Sequence, residues 1–245
     1  MLNIYIVWVL AVITMPHNWE SCFLLHARSF GDTSIIAEVF TESSGKTSVM
    51  AKCANNPKSK FFGHLLPFSN LQIIVNGKSE MKTLTQIDSN YASQSSKGPH
   101  DLYTYLYVNE LMVRLLPKGL PNQELFDLYK QFVDLARADA ISETDLRAFE
   151  FDLLDVLGYG INFDTDTIEN SEFKDSASYS YMPEKGFHAT NHDNGFSAQE
   201  ILSIKNRSLE SIDKIKLKQL SQIAISACLD GRELSSRDIF KKLKI

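Results

Sequence analysis

The chain reads as an α+β protein: a small N-terminal β-barrel followed by a helical domain that carries an irregular, loop-rich insertion. Three observations predict this. From Ser21 to about Tyr91, apolar and polar residues alternate in short runs broken by turn residues, the period-two signature of half-buried strands. A polar stretch, Ser93-Gln94-Ser95-Ser96-Lys97-Gly98-Pro99, then interrupts the pattern. Beyond it the apolar spacing lengthens to the 3.6-residue period of amphipathic helices. The expected organisation is an apolar leader at 1–18, a barrel at 20–92 and a helical domain at 97–245 with its insertion at 160–196.

Each element has a local cause. Ser34–Thr41 and Lys46–Ala51 are strand-forming runs that meet across Glu42-Ser43-Ser44-Gly45, a short glycine-ended loop suited to a hairpin. Leu71, Ile73 and Val75 alternate toward Asn76-Gly77, whose residue types suit a type I′ turn, and Met81-Lys82-Thr83-Leu84 returns. About five short strands in so few residues suggest a small barrel or curved sheet, and pattern alone does not choose an OB-fold over an SH3-like barrel. In the helical part, Asp101 can cap a helix with an apolar face at Leu102, Tyr105, Leu106, Met112 and Leu116, which Lys118-Gly119-Leu120-Pro121 ends. Asn122 opens a second helix. Ser142 with Asp145 resembles a capping box ahead of a third, and Gly158 is a natural stop. Helix returns at Ser197 with Glu200 three residues on, continues through Leu217–Leu229, and ends with Ser236–Leu243.

Composition bounds the function. The 245 residues, 44% hydrophobic, can bury one large core or two modest ones. Cys22, Cys53 and Cys228 are too scattered for a disulfide framework or a four-thiolate zinc site, and read as idle thiols of a reducing compartment. Net charge is −5, yet it is unevenly distributed. Residues 1–96 hold seven Lys+Arg against six Asp+Glu, residues 97–200 eight against nineteen, and residues 201–245 ten against five. A polyanion should therefore avoid the central helices, while a short acidic peptide could favour the basic end. The first fifteen residues, MLNIYIVWVLAVITM, carry no Lys or Arg and are too short for a comfortable membrane span. An over-extended start with Met15 as the true beginning, an uncleaved anchor, and a segment packed on the domain all remain open readings.

Catalytic and metal-binding patterns are weak. His188 and His192 stand four apart, but Phe187–Gly195 is turn-forming sequence, and Asp193 is the sole nearby third ligand. Asp164 and Asp166 could pair as acid and base; a solvated acidic loop explains them better. No phosphate-cradling glycine loop or nucleophile elbow is present. More informative are Arg28, Lys46, Lys52, Lys58, Lys60, Lys78 and Lys82, set near strand ends or loops with Phe30, Phe61, Phe62 and Phe68 interleaved. That mixture can track a phosphate backbone and stack bases. On the residues alone a lysine rim over a phenylalanine core is the better reading, since aromatic residues in a small barrel usually fill it.

From about Trp19 the chain resembles the RecO family of bacterial recombination mediators. The resemblance rests on Leu25-His26-Ala27-Arg28 leading into Thr33-Ser34-Ile35, Val39–Gly45, Leu66-Pro67-Phe68 and Tyr107-Val108-Asn109-Glu110-Leu111. Further on it rests on Arg147-Ala148-Phe149-Glu150, Leu157-Gly158-Tyr159-Gly160, Glu184-Lys185-Gly186-Phe187 and Ser235-Ser236-Arg237-Asp238. It implies that the barrel is an OB-fold and that the protein is a cytoplasmic, nucleoid-associated mediator rather than an enzyme, needing no cofactor, metal or membrane. Such proteins bind single- and double-stranded DNA, anneal complementary strands, recognise the acidic C-terminal tail of single-stranded DNA-binding protein, and with RecR help load RecA in the RecF pathway. Lys205, Arg207, Arg232, Arg237 and Lys241 of the basic end are the candidates for the tail's rim. The chain departs from the family twice. Where many members run Lys-Gly-Ala-Arg it has Lys52-Cys53-Ala54-Asn55, and it lacks the four-cysteine zinc module some members carry.

Overall fold

Two bulged strands let five short strands close on themselves at the start of this chain. The computed structural model describes residues 19–66, 69–89, 99–138, 141–183, 185–192 and 194–237, with backbone alone at 99–101. The apolar leader, the polar stretch before Pro99, Phe68 and Lys241 thus lie outside the described residues. Strands β1 (Glu20–Phe30), β2 (Ser34–Thr41), β3 (Gly45–Ala51), β4 (Asn70–Asn76) and β5 (Met81–Ser89) form a closed barrel of order β1-β2-β3-β5-β4. All pairs are antiparallel except β3 with β5. Register shifts at Leu24/His26 in β1 and at Ile74/Val75 in β4 supply the bending that closure needs. Leu24, Val39, Val49, Leu71, Ile73 and Leu84 fill the interior, each worth roughly 1.5–3 kcal/mol of burial. Parallel β3–β5 pairing in a five-stranded Greek-key barrel is the OB-type arrangement.

The second hairpin differs from its sequence reading. Only Gly77 of the Asn76-Gly77 pair has positive φ, and β4 joins β5 through Gly77–Glu80 rather than a two-residue turn. A type I′ turn needs both central residues left-handed, so the identity of the pair was insufficient.

The helical part contains α1 (Pro99–Leu115), α2 (Gln123–Arg137), α3 (Glu143–Val156), α4 (Ala198–Lys205) and α5 (Lys214–Cys228). Asp101 is not the cap of α1, which already begins at Pro99 so that Asp101 lies within its first turn, but the other start signals act as the sequence suggests. Asn122 Oδ1 accepts from Leu125 N, and Ser142/Asp145 and Ser197/Glu200 each form reciprocal capping boxes. The insertion is ordered: β6 (Ser178–Met182), β7 (Gly186–Thr190) and β8 (Phe196–Ser197) make a sheet of order β7-β6-β8. Phe163, Phe173, Tyr181 and Phe196 surround the buried Phe187 ring, with centroids 5.5–6.2 Å away. An aromatic core thus organises the segment.

The chain divides into two compact units, Met1–Ala92 with Lys118–Pro121, and Ser93–Pro117 with Asn122–Ile245. The short connection between α1 and α2 therefore belongs to the barrel. Gly119 N–H donates to the Lys46 carbonyl at 3.0 Å, and Lys118 bridges Lys46 in parallel. Gly45 sits at φ +69°, and a Cβ there would lie 2.1 Å from the Leu120 carbonyl oxygen, so glycine is required twice over.

Candidate nucleic-acid interface

Register determines what the barrel shows to solvent. Ala27, Ala37, Val49 and Lys82 share one rung, and Ala37 and Val49 are core residues. The flanking rungs, His26–Glu38–Ser48–Met81 and Arg28–Ile36–Met50–Thr83, therefore face outward. On the outer surface of β1–β2–β3, Arg28 and Lys52 are exposed, with Met50 half-buried on β3 and Phe30 48% exposed at the end of β1. This is the face that OB-folds offer to oligonucleotides.

Beside it runs the 52–66 loop, where Lys58 is exposed, Phe62 is 49% exposed, and Phe61 is tucked into the barrel core. Lys60 is more constrained: its ammonium donates to the Thr85 carbonyl at 2.5 Å and lies 5.1 Å from the Phe61 ring centroid. Lys78 stands exposed in the β4–β5 loop, and Lys82 donates to the Gly77 carbonyl at 3.0 Å. Lys46 departs from the expectation of an open strand end. It is only 7% exposed, and burial, partly offset by Glu38, lowers its pKa. Its sequence position at a strand start gave no sign of this, because the covering segment lies about seventy residues downstream. Of the phenylalanines, Phe30 and Phe62 have rings available for stacking, while Phe61 is structural.

The departures at Cys53 and Asn55 acquire physical meaning here. Cys53 has φ +58°, the left-handed region glycine occupies without strain. Asn55 staples the loop to the β1–β2 turn: its N–H donates to the Thr33 carbonyl at 2.9 Å, and its amide lies 3.4 Å from both Ser29 Oγ and the Ser34 carbonyl. Asn55 is thus a loop anchor at a position where the resemblance implies a cation.

In the helical unit most candidate cations are engaged internally. Lys205 meets Asp164 at 2.5 Å, and Arg207 meets Asp152 at 2.7 Å and also Asp155, with its guanidinium 5.5 Å from the Phe151 ring centroid. Arg232 lies 3.8 Å from Asp230 on the surface, and Arg237 reaches Ser226 Oγ at 3.3 Å beside the Tyr107 ring. These four form no shared, unpaired rim. Deeper down, Arg147 contacts Glu150 and Ser221 Oγ, each at 2.8 Å, and the Tyr107 hydroxyl donates to Glu150 at 2.5 Å. Burial raises the pKa of Glu150 against the pull of Arg147. Glu110 accepts from the N–H groups of Ser235 and Ser236, which open a terminal helical turn. Three motifs scattered through the sequence, around Tyr107, Arg147 and Ser235, are thus joined by polar contacts.

Hydrolytic chemistry gains no support from the geometry. Asp166 accepts from the N–H groups of Ile168, Glu169 and Ala189, which depress its pKa although burial opposes them. Asp164 is tied to Lys205, and His188 lies on strand β7 rather than in a turn. Among the described residues no group of three or more His, Cys, Asp or Glu could hold a metal. A ≈ 450 Å³ cleft between Ile161, Ile168 and Tyr181 has no carboxylate, thiol or imidazole in its lining. No described helix is long and apolar enough to cross a membrane.

Known proteins match along nearly all of this architecture. Residues 15–91 fit the family model described as Recombination protein O N terminal, and residues 98–230 fit Recombination protein O C terminal. Proteins named DNA repair protein RecO from Salmonella enteritidis, Salmonella gallinarum and Salmonella dublin are each 33% identical over 229 residues, covering 92% of this chain and 94% of theirs. With an OB-type barrel leading into a helical region and this coverage by both family models, the chain belongs to the RecO family of DNA repair proteins.

Proposed function

We propose that this chain is a non-enzymatic recombination mediator of the RecF pathway in the cytoplasm. It binds single- and double-stranded DNA through the barrel, anneals complementary strands, and with RecR assists RecA loading onto strands coated by single-stranded DNA-binding protein. The observation that carries the reading is the outer barrel face, where Arg28, Lys52 and Lys58 are exposed beside the uncovered rings of Phe30 and Phe62. Cations follow the phosphates and rings stack on any base, so binding is sequence-indifferent and salt-sensitive. Lys78 extends the surface at the β4–β5 loop, while Lys60 and Lys82 join after releasing a backbone carbonyl. The acidic tail of the coat protein docks on the helical unit, where Arg237, which reaches the Ser226 hydroxyl rather than a carboxylate, is the candidate cation.

The test is annealing of complementary oligonucleotides precoated with the coat protein, carrying either an intact or a truncated tail. Tail-dependent acceleration is expected. Without acceleration on either coat, a second reading takes over: an adaptor that works through protein partners. The Asn55 anchor, at a position where the resemblance implies a cation, favours that alternative.

A further inference from the structure

We propose that Lys118, a residue of the connection between two helices, is a nucleic-acid contact of the barrel. The inference rests on the reading that the barrel face binds nucleic acid, and it extends that face with a cation supplied from outside the strands. The backbone of the connection is fixed against β3 by the Gly119 N–H to Lys46 carbonyl bond, by the Lys46–Lys118 bridge, and by a Leu120 approach that only glycine at position 45 permits. The Lys118 side chain then lies over an outward rung of β3, its ammonium 3.3 Å from Ser48 Oγ, and the residue is exposed.

Ser48 does not neutralise it. The hydroxyl donates its own proton to Glu38 at 2.7 Å, so Lys118 is aimed by a neutral oxygen and makes no ion pair among the described residues. Glu38 lies close enough to act on Lys46, and it moderates the local potential without binding Lys118. Reading along the outer side of β3 gives Lys52, Met50, then Ser48 with Lys118 above it. Lys52 and Lys118 thus stand roughly 13 Å apart along the strand, at about 3.3 Å per residue over four residues, with the Met50 side chain between them. Arg28 lies on the same rung as Met50 but two strands away, beyond Ile36. Cation, apolar surface, cation is the order that phosphates and bases of one unpaired strand require.

The experiment uses the full chain and a labelled oligothymidylate, with affinity measured by anisotropy between roughly 50 and 200 mM salt. Lys118→Gln is expected to weaken binding several-fold and reduce the slope of log affinity against log salt by about 0.7, one single-strand phosphate contact. Lys118→Arg should restore both. Ser48→Ala, which keeps the charge and removes its guide, should cost affinity without changing the slope. Lys52→Gln is the positive control and Lys130→Gln, exposed on α2, the negative one. Wild-type binding by Lys118→Gln, or weakened binding with an unchanged slope, overturns the assignment if Lys52→Gln still loses affinity. If Lys52→Gln also binds normally, the barrel reading itself fails.

Discussion

The barrel and the helical unit treat their cations in opposite ways. On the barrel, Arg28, Lys52, Lys58 and Lys78 project into solvent, whereas in the helical unit Arg147, Lys174, Lys205, Arg207 and Lys216 each meet a carboxylate. Among the described residues, part of the basic end's charge is therefore spent internally and is less available to a polyanion than its count suggests. A charge sum over sequence misleads because it counts internal ion pairs as surface field. What matters for a phosphate is the cation left without a partner.

The sharpest way to break this contrast lies in the helical core. Arg147→Met leaves Glu150 buried beside Tyr107 with its cation gone, and should cost roughly 3–5 kcal/mol in urea unfolding. If the loss is below about 1 kcal/mol, the buried pair does not hold this unit together. On the barrel, Arg28→Glu, Lys52→Glu and Lys58→Glu together should weaken single-strand binding by more than about tenfold and flatten its salt dependence, with thermal stability nearly unchanged. A steep residual salt slope would move the DNA face elsewhere.

Asp166 sharpens the contrast from the acidic side, because its carboxylate is used entirely within the insertion. Its pKa is lowered in the fold, so its stabilisation is complete above the ordinary value of 3.8 and disappears as pH falls through the depressed one. Asp166→Asn should cost about 1–3 kcal/mol near neutrality and flatten acid unfolding below roughly pH 4. Lys46→Met should leave DNA affinity within about twofold, since a residue covered by the connecting segment contributes little to the outer field; a steep loss of affinity would return Lys46 to the interface. The smallest effect is expected at Cys53. Replacing it with glycine relieves a left-handed φ, for a gain of about 0.5–1 kcal/mol by thermal melting, and no gain would mean that the loop tolerates the cysteine without strain.

By itself the sequence determined the classes of element and most of their starts. Strand alternation, the Gly45 turn, the Asn122 cap and the two capping boxes are interactions over a few residues, fixed by local sterics and hydrogen bonding. The exposed cations and rings of the barrel were legible as residue types near strand ends. Which of them reach solvent was not, since burial depends on segments distant in sequence. Lys46 is covered by a connection some seventy residues away, and Glu110 meets Ser235 across more than a hundred. The insertion's order likewise came from aromatic rings converging from Phe163 to Phe196 rather than from any one strand signal. Tertiary structure alone decided these points, because closing the barrel and packing the helices determine which charges find partners and which stay in water.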